Sequence, residues 1–359
     1  MKILFLGEAL SPHLQRWHKA FEKLGWDVLT ASGDHHPDFS GRRLVPGADH
    51  GPARYLSLVD QTTALIREFQ PHLINAHFLP TYGLVAATVN AHPWVLTLWG
   101  SDILVAGKRG LFRRLRSRHI LRRADLVVAD SHHALAVAES IAPLRRRLVV
   151  SFGVRQSWFE SGSIREIKET PILRVLSTRR LEPLYDVATL IKSAAILRDS
   201  SFPFHLTVAG AGSQAATLQA LAAQLRLDDR VSFTGYQTDE QLFNLYRTHD
   251  VYVSTATSDS SSVSLLEAMS QRLYPIVTEI PGNQEWLSEA PYLFPVGDAA
   301  ALAEKVRAAA DPACRAAAWK SYWPTLEQKG IREDQMLIAD KAFRKLIDEY
   351  DRTGSRHHR

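Results

Sequence analysis

Short apolar runs alternate with helical segments along this 359-residue sequence, and this alternation constrains its fold more than any other feature. In the first unit, an apolar strand at Lys2–Leu6 is followed by a loop at Gly7–His13 and a helix at Gln15–Leu24. A second strand at Asp27–Ala31 completes a strand–helix–strand unit, and such units predict a parallel sheet. Further strands of this half are predicted at Leu73–Ala76, Trp94–Leu98, Leu126–Ala129 and Leu148–Ser151.

The alternation begins again after Pro171. Between the halves, Arg155–Thr170 shows neither the strand nor the helical period and contains Ser161-Gly162-Ser163, which predicts an interdomain linker. A chain of this length favours two domains. We therefore predict an α/β fold of two Rossmann-like domains, each built on a parallel sheet, facing across a cleft. The second half has predicted strands at Ile172–Ser177, Phe204–Ala209, Val231–Phe233, Val251–Ser254, Ile276–Val277 and Tyr292–Phe294, and predicted helices at Val187–Leu197, Ala215–Leu225 and Glu240–Arg247.

Composition excludes several classes of protein. The single cysteine, Cys314, rules out an intramolecular disulfide framework and fits a reducing compartment. No group of Cys and His residues has the spacing of zinc ligands, so we expect no metal. Gly7 and Glu8 interrupt the N-terminal apolar run too early for a signal peptide, and no window reaches the length of a membrane-spanning helix, which together predict a cytoplasmic protein. The net charge of +5 favours an anionic partner.

A serine-rich turn between a predicted strand and a predicted helix is the strongest candidate for a binding site. Asp259 lies in the turn, Ser260–Ser262 follow it, and Glu267 lies eight residues after Asp259 in the helix. The N–H groups and the positive dipole end of a helix N-terminus favour a phosphate, and ionised carboxylates accept hydrogen bonds from sugar hydroxyls. An acidic helix cap followed by an ordinary surface glutamate fits this window equally well.

Polar residues also follow three predicted strands of the first half. Ser11 and His13 come after the first strand, His77 comes after Leu73–Ala76, and Asp102 comes after Trp94–Leu98. Ligands of parallel α/β sheets bind at the carboxyl ends of the strands, so these exits favour a second site, although each residue alone is more often a turn or cap residue. The first loop lacks the G-x-G-x-x-G fingerprint, which counts against an NAD-dependent dehydrogenase.

The segment Lys108–Arg123 carries eight Lys or Arg residues and no acid. On a helix, Leu111, Phe112 and Leu115 share one face, with arginines around the rest. Such a helix suits an anionic membrane surface, and a solvated helix with a narrow core contact is the equal alternative. We expect no nucleic-acid binding, because no aromatic stacking platform accompanies the charge.

Both halves of the chain contain an ordered set of motifs. Those of the first half are Trp99-Gly100-Ser101-Asp102, the segment from Ala124 to Ser131, and Phe152-Gly153-Val154. Those of the second half are Arg180-Leu181, Gly210-Ala211-Gly212, Val231 to Gly235, Leu266 to Met269, Pro281-Gly282-Asn283 and Val296-Gly297-Asp298. In this order the motifs resemble those of the glycosyltransferases of family 4, which have the GT-B fold.

The resemblance implies a transferase that moves a sugar from a nucleotide donor with retention of anomeric configuration and without a metal or other cofactor. The second domain then binds the donor. Glu267 takes the ribose hydroxyls, Asp259 takes a hydroxyl of the donor sugar, and Arg180 neutralises the leaving phosphate. The diphosphate lies on the amides around Ser261, Ser262 and Val263, with Gly210, Gly212 and Tyr236 as further donor-side residues. The first domain binds the acceptor, with His13, His77 and Asp102 as candidate catalytic residues.

The sequence departs from the family pattern at several positions. Tyr185 and Asp186 replace a usual Lys-Gly pair, which removes one phosphate cation and makes Arg179 a candidate substitute. The first acid is Asp259 where Glu is usual, and Arg272 replaces a usual glycine. Trp99 replaces a usual histidine before the Gly-Ser-Asp motif, a loss for which His13 or His77 are candidate replacements.

These observations lead to one main hypothesis and two alternatives. The main hypothesis is a retaining, metal-independent glycosyltransferase that uses a UDP-sugar and a polysaccharide, lipid-linked or small-molecule acceptor. The alternatives are a non-hydrolysing UDP-N-acetylglucosamine epimerase of the same fold and an inactive nucleotide-sugar-binding subunit. The expected domains are 1–160 for the acceptor and 171–330 for the donor. Residues 331–359 are expected to form a helix at Gln335–Tyr350 on the first domain, with Leu337, Phe343, Leu346 and Ile347 in the core, and a basic tail.

Overall fold

The computed structural model describes residues 1–34, 39, 41–45, 52–105, 110–288 and 290–352. These residues form two compact units. Unit 1 consists of Met1–Phe152 together with the C-terminal stretch that begins at Glu333, and unit 2 is Gly153–Arg332. Lys108 and Arg109 of the predicted basic helix, and the predicted tail after Arg352, lie outside the described residues.

Unit 1 contains a seven-stranded sheet in which every neighbouring pair is parallel, in the order β3-β2-β1-β4-β5-β6-β7. The strands are β1 Lys2–Leu6, β2 Asp27–Ser32, β3 Arg42–Arg43, β4 Leu73–His77, β5 Trp94–Thr97, β6 Leu126–Ala129 and β7 Arg147–Val149. The helices are α1 Pro12–Lys23, α2 Pro52–Phe69, α3 Leu84–Val89, α4 Ser101–Leu104, α5 Leu111–Arg123 and α6 His132–Ile141. A π-helical turn at Leu79–Gly83 precedes α3.

Unit 2 contains a six-stranded parallel sheet in the order β10-β9-β8-β11-β12-β13. The strands are β8 Leu173–Ser177, β9 Phe204–Val208, β10 Val231–Phe233, β11 Val251–Ser254, β12 Tyr274–Thr278 and β13 Leu293–Phe294. The helices are α7 Gln156–Ser163, α8 Val187–Asp199, α9 Ala215–Gln224, α10 Asp239–Thr248, α11 Val263–Ser270, α12 Pro281–Gln284, α13 Ala299–Ala308 and α14 Pro312–Lys329. The last helix of the chain, α15, is Arg332–Arg352.

Both sheets have the strand order of a doubly wound Rossmann fold, which confirms the predicted α/β class with two parallel-sheet domains. The central strands read as nearly continuous apolar runs because helices cover both faces. All four residues of β11, for example, are buried. In each unit the direction of winding reverses beside the first strand, between β1 and β4 in unit 1 and between β8 and β11 in unit 2.

The segment predicted as a linker contains a helix. Residues Gln156–Ser163 form α7, whose Trp158 packs on Phe243 and Tyr246 with ring centroids 5.0 and 6.0 Å apart. Gly162 approaches the carbonyl oxygen of Ser270 so closely that a Cβ would lie 1.6 Å from it. Ser161-Gly162-Ser163 therefore marks a close helix contact, because a glycine here permits two main chains to meet, and it does not mark a flexible connection.

The C-terminal helix α15 packs in unit 1. Phe343, Leu346 and Ile347 are buried in a cluster that contains Trp17 and Phe21 of α1. The prediction that Leu337 lies in the core is wrong, because its side chain is 42% exposed and the preceding Met336 takes the buried position. Helix α1 begins at Pro12, three residues earlier than predicted, since proline suits the first turn of a helix.

Candidate active site

The loops that leave β8 and β11 lie side by side at the point in unit 2 where the strand order reverses. In open parallel sheets this is where ligands bind, because loops after neighbouring strands diverge there and leave a crevice. The β8 loop carries Arg179 and Arg180, and the β11 loop carries Asp259 and the serines that lead into α11. The topology thus brings together residues that lie about eighty positions apart in sequence.

The N-terminus of α11 follows the β11 loop at this strand reversal. Ser262 caps the helix with extended backbone, and its Oγ accepts a hydrogen bond from the Leu265 N–H at 3.4 Å. Ser260 and Ser261, which precede it, are also buried. The first amides of a helix and its dipole present positive charge, so this end of α11 suits a negatively charged group.

The buried Arg179 guanidinium crosses from the β8 loop to this helix end. Its Nη2 donates to Asp259 Oδ2 at 2.6 Å, and its Nη1 donates to the hydroxyls of Ser262 and Ser264. The guanidinium also lies over the Tyr185 ring, 4.3 Å from its centroid. Burial opposes the charged form, but the Asp259 carboxylate outweighs burial and holds the Arg179 pKa above its ordinary value. The cation is therefore permanent and fixed in position.

Arg179 and Arg180 differ sharply in their surroundings. The Arg180 side chain is 75% exposed, and it lies 3.9 Å from a carboxylate oxygen of Glu182. The Arg179 side chain is 8% exposed and contacts Asp259. The structure thus fixes Arg179 within the candidate site and leaves the Arg180 side chain exposed on the same loop; the phosphate role of Arg180 remains a prediction.

Asp259 is held by two hydrogen bonds on different oxygens. Oδ2 accepts from Arg179 and Oδ1 accepts from the Ser260 N–H at 2.9 Å. Gly282 lets the following segment approach this loop, because a Cβ at Gly282 would lie 2.1 Å from the Ser260 carbonyl oxygen. The Pro281-Gly282-Asn283 motif therefore supports the loop that carries Asp259. Asp259 orients Arg179 as well as facing the crevice.

Glu267 lies in the second turn of α11 and is buried. Its Oε2 accepts a hydrogen bond from the Tyr246 hydroxyl at 3.2 Å, and that hydroxyl lies 2.7 Å from Thr178 Oγ1. Burial, followed by the charge of Glu267, raises the pKa of Tyr246 well above its ordinary value, so its hydroxyl stays protonated. Sequence reasoning missed Tyr246, because its place on the buried face of α10 is equally typical of a core residue.

The remaining donor-side candidates have different environments. A Cβ at Gly210 would lie 2.3 Å from the Arg179 carbonyl oxygen, and one at Gly212 would lie 2.3 Å from that of Leu181. These glycines therefore let the β9 loop approach the β8 loop and so support Arg179. Val263 begins α11, and Tyr236 is 80% exposed after β10.

Unit 1 has its own cluster at the equivalent strand reversal. His77 ends β4 and is fully buried, and its Nδ1 accepts from Trp99 Nε1 at 3.2 Å. Burial, followed by the charge of His13, lowers the pKa of His77 to about 3, so the ring is neutral near pH 7. The His13 ring stacks on Phe152 at 4.1 Å and meets Trp99 edge-on at 5.8 Å. The structure therefore brings His13, His77 and Trp99 together.

Asp102 has a mainly structural environment. It is fully buried, and its carboxylate accepts from the Leu79 and Trp99 N–H groups at 2.9 Å each. Burial raises its pKa to about 6, against the effect of these hydrogen bonds. Asp102 thus ties the loops after β4 and β5 together, and its catalytic role remains a prediction.

The basic helix α5 exposes its apolar residues to solvent. The side chains of Leu111, Phe112 and Leu115 are 70%, 86% and 54% exposed, whereas Ile120 and Leu121 are buried. The core contact of this helix is made by its C-terminal half, so Leu111, Phe112 and Leu115 form an apolar patch among arginines. Within the described ranges, no helix is both long and apolar enough to span a membrane.

Family models match both units. Residues 2–131 match the model described as "Glycosyl transferase 4-like", and residues 162–322 match "Glycosyl transferases group 1". The chain belongs to the family 4-type glycosyltransferases with the GT-B fold. The resemblance carried by the sequence motifs is thereby confirmed.

Two curated proteins resemble this chain at low identity. Amylovoran biosynthesis glycosyltransferase AmsK of Erwinia amylovora is 28% identical over 245 residues, 63% of this chain and 59% of that protein. N-acetyl-alpha-D-glucosaminyl L-malate synthase of Bacillus anthracis is 25% identical over 222 residues, 59% of this chain and 56% of that protein. The chain thus spans less than two thirds of the length of these relatives.

Solved structures share the fold over nearly the whole chain. Sucrose-phosphate synthase from Thermosynechococcus elongatus has a TM-score of 0.82 at 19% identity, covering 97% of this chain and all of that one. Anabaena Alr3699/HepE in complex with UDP and glucose has a TM-score of 0.78 at 18% identity, covering 96% of this chain and 100% of that one. At these identities the likeness shows the GT-B fold.

Arg272 and Asp186 stand at two positions where the family usually has glycine. Arg272 has φ +59° and Asp186 has φ +41°, a left-handed conformation that glycine adopts most easily. At Arg272 the guanidinium stacks on Trp319, 3.7 Å from the ring centroid, and donates to the Ser163 and Arg165 carbonyls. The chain therefore has a left-handed turn at Arg272 and holds a cation there.

Proposed function

We propose that this protein is a retaining glycosyltransferase that moves a sugar from a UDP-sugar to an acceptor and needs no metal. The observation that carries the proposal is the cluster at the N-terminus of α11. There, a buried and permanently charged Arg179 lies beside Asp259 and Ser262. Glu267, held by Tyr246, follows one to two turns later on the same helix.

Each group of this cluster has a role in binding the donor. The amides around Ser261, Ser262 and Val263, together with Arg179, hold the diphosphate, since fixed donors and a helix N-terminus favour phosphate oxygens. Glu267 accepts hydrogen bonds from the ribose hydroxyls. Asp259 positions Arg179 and offers its outer face to a hydroxyl of the donor sugar.

The reaction needs stabilisation of separating charge. When the anomeric bond breaks, negative charge grows on the β-phosphate and positive charge grows on the sugar ring. Arg179 is already held at the α11 N-terminus, so together with the α11 amides it would stabilise the leaving group with little reorganisation. In a front-face mechanism the leaving phosphate accepts the acceptor's proton, which accounts for retention of configuration without a protein base.

The relatives support the choice of donor and acceptor classes. HepE structures hold UDP, UDP with glucose, and UDP-glucose. AmsK is named as an amylovoran biosynthesis glycosyltransferase. TuaC, a relative from Bacillus subtilis, is named as a putative teichuronic acid biosynthesis glycosyltransferase. We infer a UDP-sugar donor and a cell-envelope polysaccharide or lipid-linked acceptor.

The surface of α5 supports a membrane-proximal acceptor. Exposed Leu111, Phe112 and Leu115 lie among arginines, an arrangement that binds anionic lipid through both charge and apolar contact. The protein is expected to work at the cytoplasmic face of the membrane. A small-molecule acceptor is the alternative within the same reaction.

Transfer assays test the function and the site together. Wild-type protein is incubated with a panel of nucleotide sugars and a membrane extract, and released UDP and labelled product are measured. The Arg179→Ala, Asp259→Ala and Glu267→Ala variants are expected to lose most transfer, and their melting temperatures are measured to separate loss of the site from loss of the fold. Full transfer by all three variants overturns the site.

Incubation with each UDP-sugar alone separates the alternatives. A transferase leaves the donor sugar unchanged without an acceptor, whereas an epimerase converts UDP-N-acetylglucosamine to its epimer. An inactive binding subunit binds UDP and transfers nothing to any acceptor in the extract. Epimerised donor, or UDP binding without transfer, therefore contradicts the proposal.

A further inference from the structure

A second, strongly cationic cavity lies in unit 2 away from the candidate active site. It has a volume of about 450 Å³, which is large enough for a small molecule. Its wall contains two acidic side chains, Glu166 and Asp250, and six cationic ones, which are Arg165, Lys168, Arg174, Arg247, Arg272 and Arg315.

The cavity lies at the opposite end of the sheet from the candidate active site. Arg174 is at the start of β8 and Asp250 immediately precedes β11, whereas Arg179 and Asp259 follow the ends of these strands. Helix α11 shows the same separation, since Ser262 caps its N-terminus and Arg272 follows its C-terminus. A ligand in the cavity is therefore distinct from a nucleotide at the α11 N-terminus.

Three of the arginines form a fixed inner wall. Arg165 donates to the Tyr246, His249 and Gln271 carbonyls, Arg315 donates to those of Ala309, Ala310 and Lys168, and Arg272 is stacked on Trp319. Burial is the main effect on these guanidinium groups and lowers the pKa of each, against the charge of Asp250, which raises the pKa of Arg165 and Arg315. The six cations of the wall outnumber its two acids, so positive charge is concentrated in the cavity.

The outer cations are exposed and have few partners of their own. The Arg174 side chain is 46% exposed and lies 3.5 Å from Asp250, and Lys168 is 74% exposed beside Glu166. Arg247 is exposed at the end of α10, 5.6 Å from the centroid of the Phe243 ring. Asp250 is already engaged by the Arg174 N–H and by Thr170. The side chains of Arg174, Lys168 and Arg247 can turn toward a ligand without disrupting the fold.

We propose that this cavity binds a small phosphorylated anion that carries two or more phosphate groups. Guanidinium groups donate in a fixed fork that matches phosphate oxygens, and charge-assisted bonds of this kind are the strongest available to such a ligand. Cations reach the cavity from the segment after α7, from β8, from α10, from the end of α11 and from α14. One phosphate cannot face all of these elements, so a diphosphate or triphosphate fits the distribution of charge better.

The test uses isothermal titration calorimetry of the full chain with inorganic pyrophosphate, at an ionic strength held constant with KCl. The Arg174→Gln/Arg247→Gln variant removes two exposed cations of the cavity. The Arg226→Gln/Arg230→Gln variant is a matched control, because it removes two charges from the same unit outside the cavity. Both variants are made in an Arg179→Ala background, which removes the pyrophosphate site proposed at the α11 N-terminus. Each lost charge-assisted contact is expected to weaken binding at the cavity about tenfold, so the cavity variant should bind pyrophosphate about a hundredfold more weakly than the control.

A third variant, Arg179→Ala, separates this site from the candidate active site. The cavity proposal predicts that Arg179→Ala retains a pyrophosphate site that the cavity variant lacks. Loss of all pyrophosphate binding in Arg179→Ala, or equal binding by the cavity and control variants, overturns the proposal. An absence of sugar transfer overturns the proposed function and leaves this binding result unaffected.

Discussion

The proposal that Arg179, and not the adjacent Arg180, supplies the phosphate cation gives a sharp prediction about the donor site. Arg179→Ala removes a cation that makes three hydrogen bonds to Asp259, Ser262 and Ser264 at the α11 N-terminus. Arg180→Ala removes a cation whose side chain is 75% exposed. Removing one preorganised donor to a developing anion costs about 3 kcal/mol, which corresponds to a loss of 10² to 10³ in kcat. Exposed ion pairs in general contribute about 0–1 kcal/mol, so if Arg179 carries the phosphate role, Arg180→Ala should lose about fivefold at most.

The assay is steady-state UDP release with a transferable UDP-sugar, with both variants measured beside wild type. Arg179→Lys serves as a third variant, because it keeps the charge and loses the forked geometry, and it should fall between Arg179→Ala and wild type. Melting temperatures control for folding, since Arg179→Ala leaves the Asp259 carboxylate without its buried partner. If Arg180→Ala loses a hundredfold in kcat while Arg179→Ala stays near wild type, the assignment of the phosphate cation to Arg179 is refuted.

Three further predictions test other parts of the structure. Tyr246→Phe removes the hydroxyl that donates to Glu267, so UDP should bind about fivefold to tenfold more weakly by calorimetry, and unchanged binding would contradict the orienting role of Tyr246. Burial lowers the pKa of His77 to about 3, whereas the unfolded chain titrates near pH 6.5. Between these two pH values the unfolded state binds one more proton than the folded state, so the free energy of unfolding falls as pH falls. For this one group the slope is at most about 1.4 kcal/mol per pH unit. His77→Gln should flatten that slope in urea unfolding curves measured from pH 7 to pH 4, and an identical slope in both proteins would refute a buried neutral histidine. Replacing Leu111, Phe112 and Leu115 by serine should greatly reduce co-sedimentation with anionic vesicles. The melting temperature should not fall, because these side chains are exposed. Equal sedimentation of the wild-type protein with neutral and anionic vesicles would contradict the electrostatic part of this binding.

The sequence predicted the parts of the fold that depend on local pattern. Apolar runs such as Val251–Ser254 and Leu126–Ala129 are strands with the predicted bounds, because a strand covered on both faces must be apolar throughout. Helix α7 was missed because its Ser-Gly-Ser ending is also typical of a loop, and only the contact of Gly162 with Ser270 distinguishes the two. Such contacts between distant segments have no local signal.

The candidate site shows the same division. The spacing of Asp259 and Glu267 on either side of a helix start was readable, because both lie on one continuous segment. The choice between Arg179 and Arg180 was not readable, since it depends on which side chain the β8 loop turns toward α11. Tyr246 reaches Glu267 only through the packing of α10 on the sheet, and nothing in its own segment indicates that contact.

The environments of Asp102 and of the α5 leucines also depend on tertiary structure. Asp102 follows a strand, as a catalytic residue would, but its oxygens are taken by two main-chain amides. Leu111 and Leu115 have the spacing of a core-facing stripe, and the structure leaves them in solvent because the C-terminal half of α5 supplies the core contact. Periodicity indicates which residues share a face and does not indicate what covers that face.

A crystal structure of the protein with UDP tests most directly whether the α11 N-terminus binds the donor nucleotide. We expect the diphosphate at this helix end, with phosphate oxygens within hydrogen-bond distance of the Arg179 guanidinium and of the amides around Ser262. We expect the ribose hydroxyls to donate to Glu267. UDP bound elsewhere, or with its diphosphate on Arg180 while Arg179 remains wholly engaged with Asp259 and the serines, would contradict it.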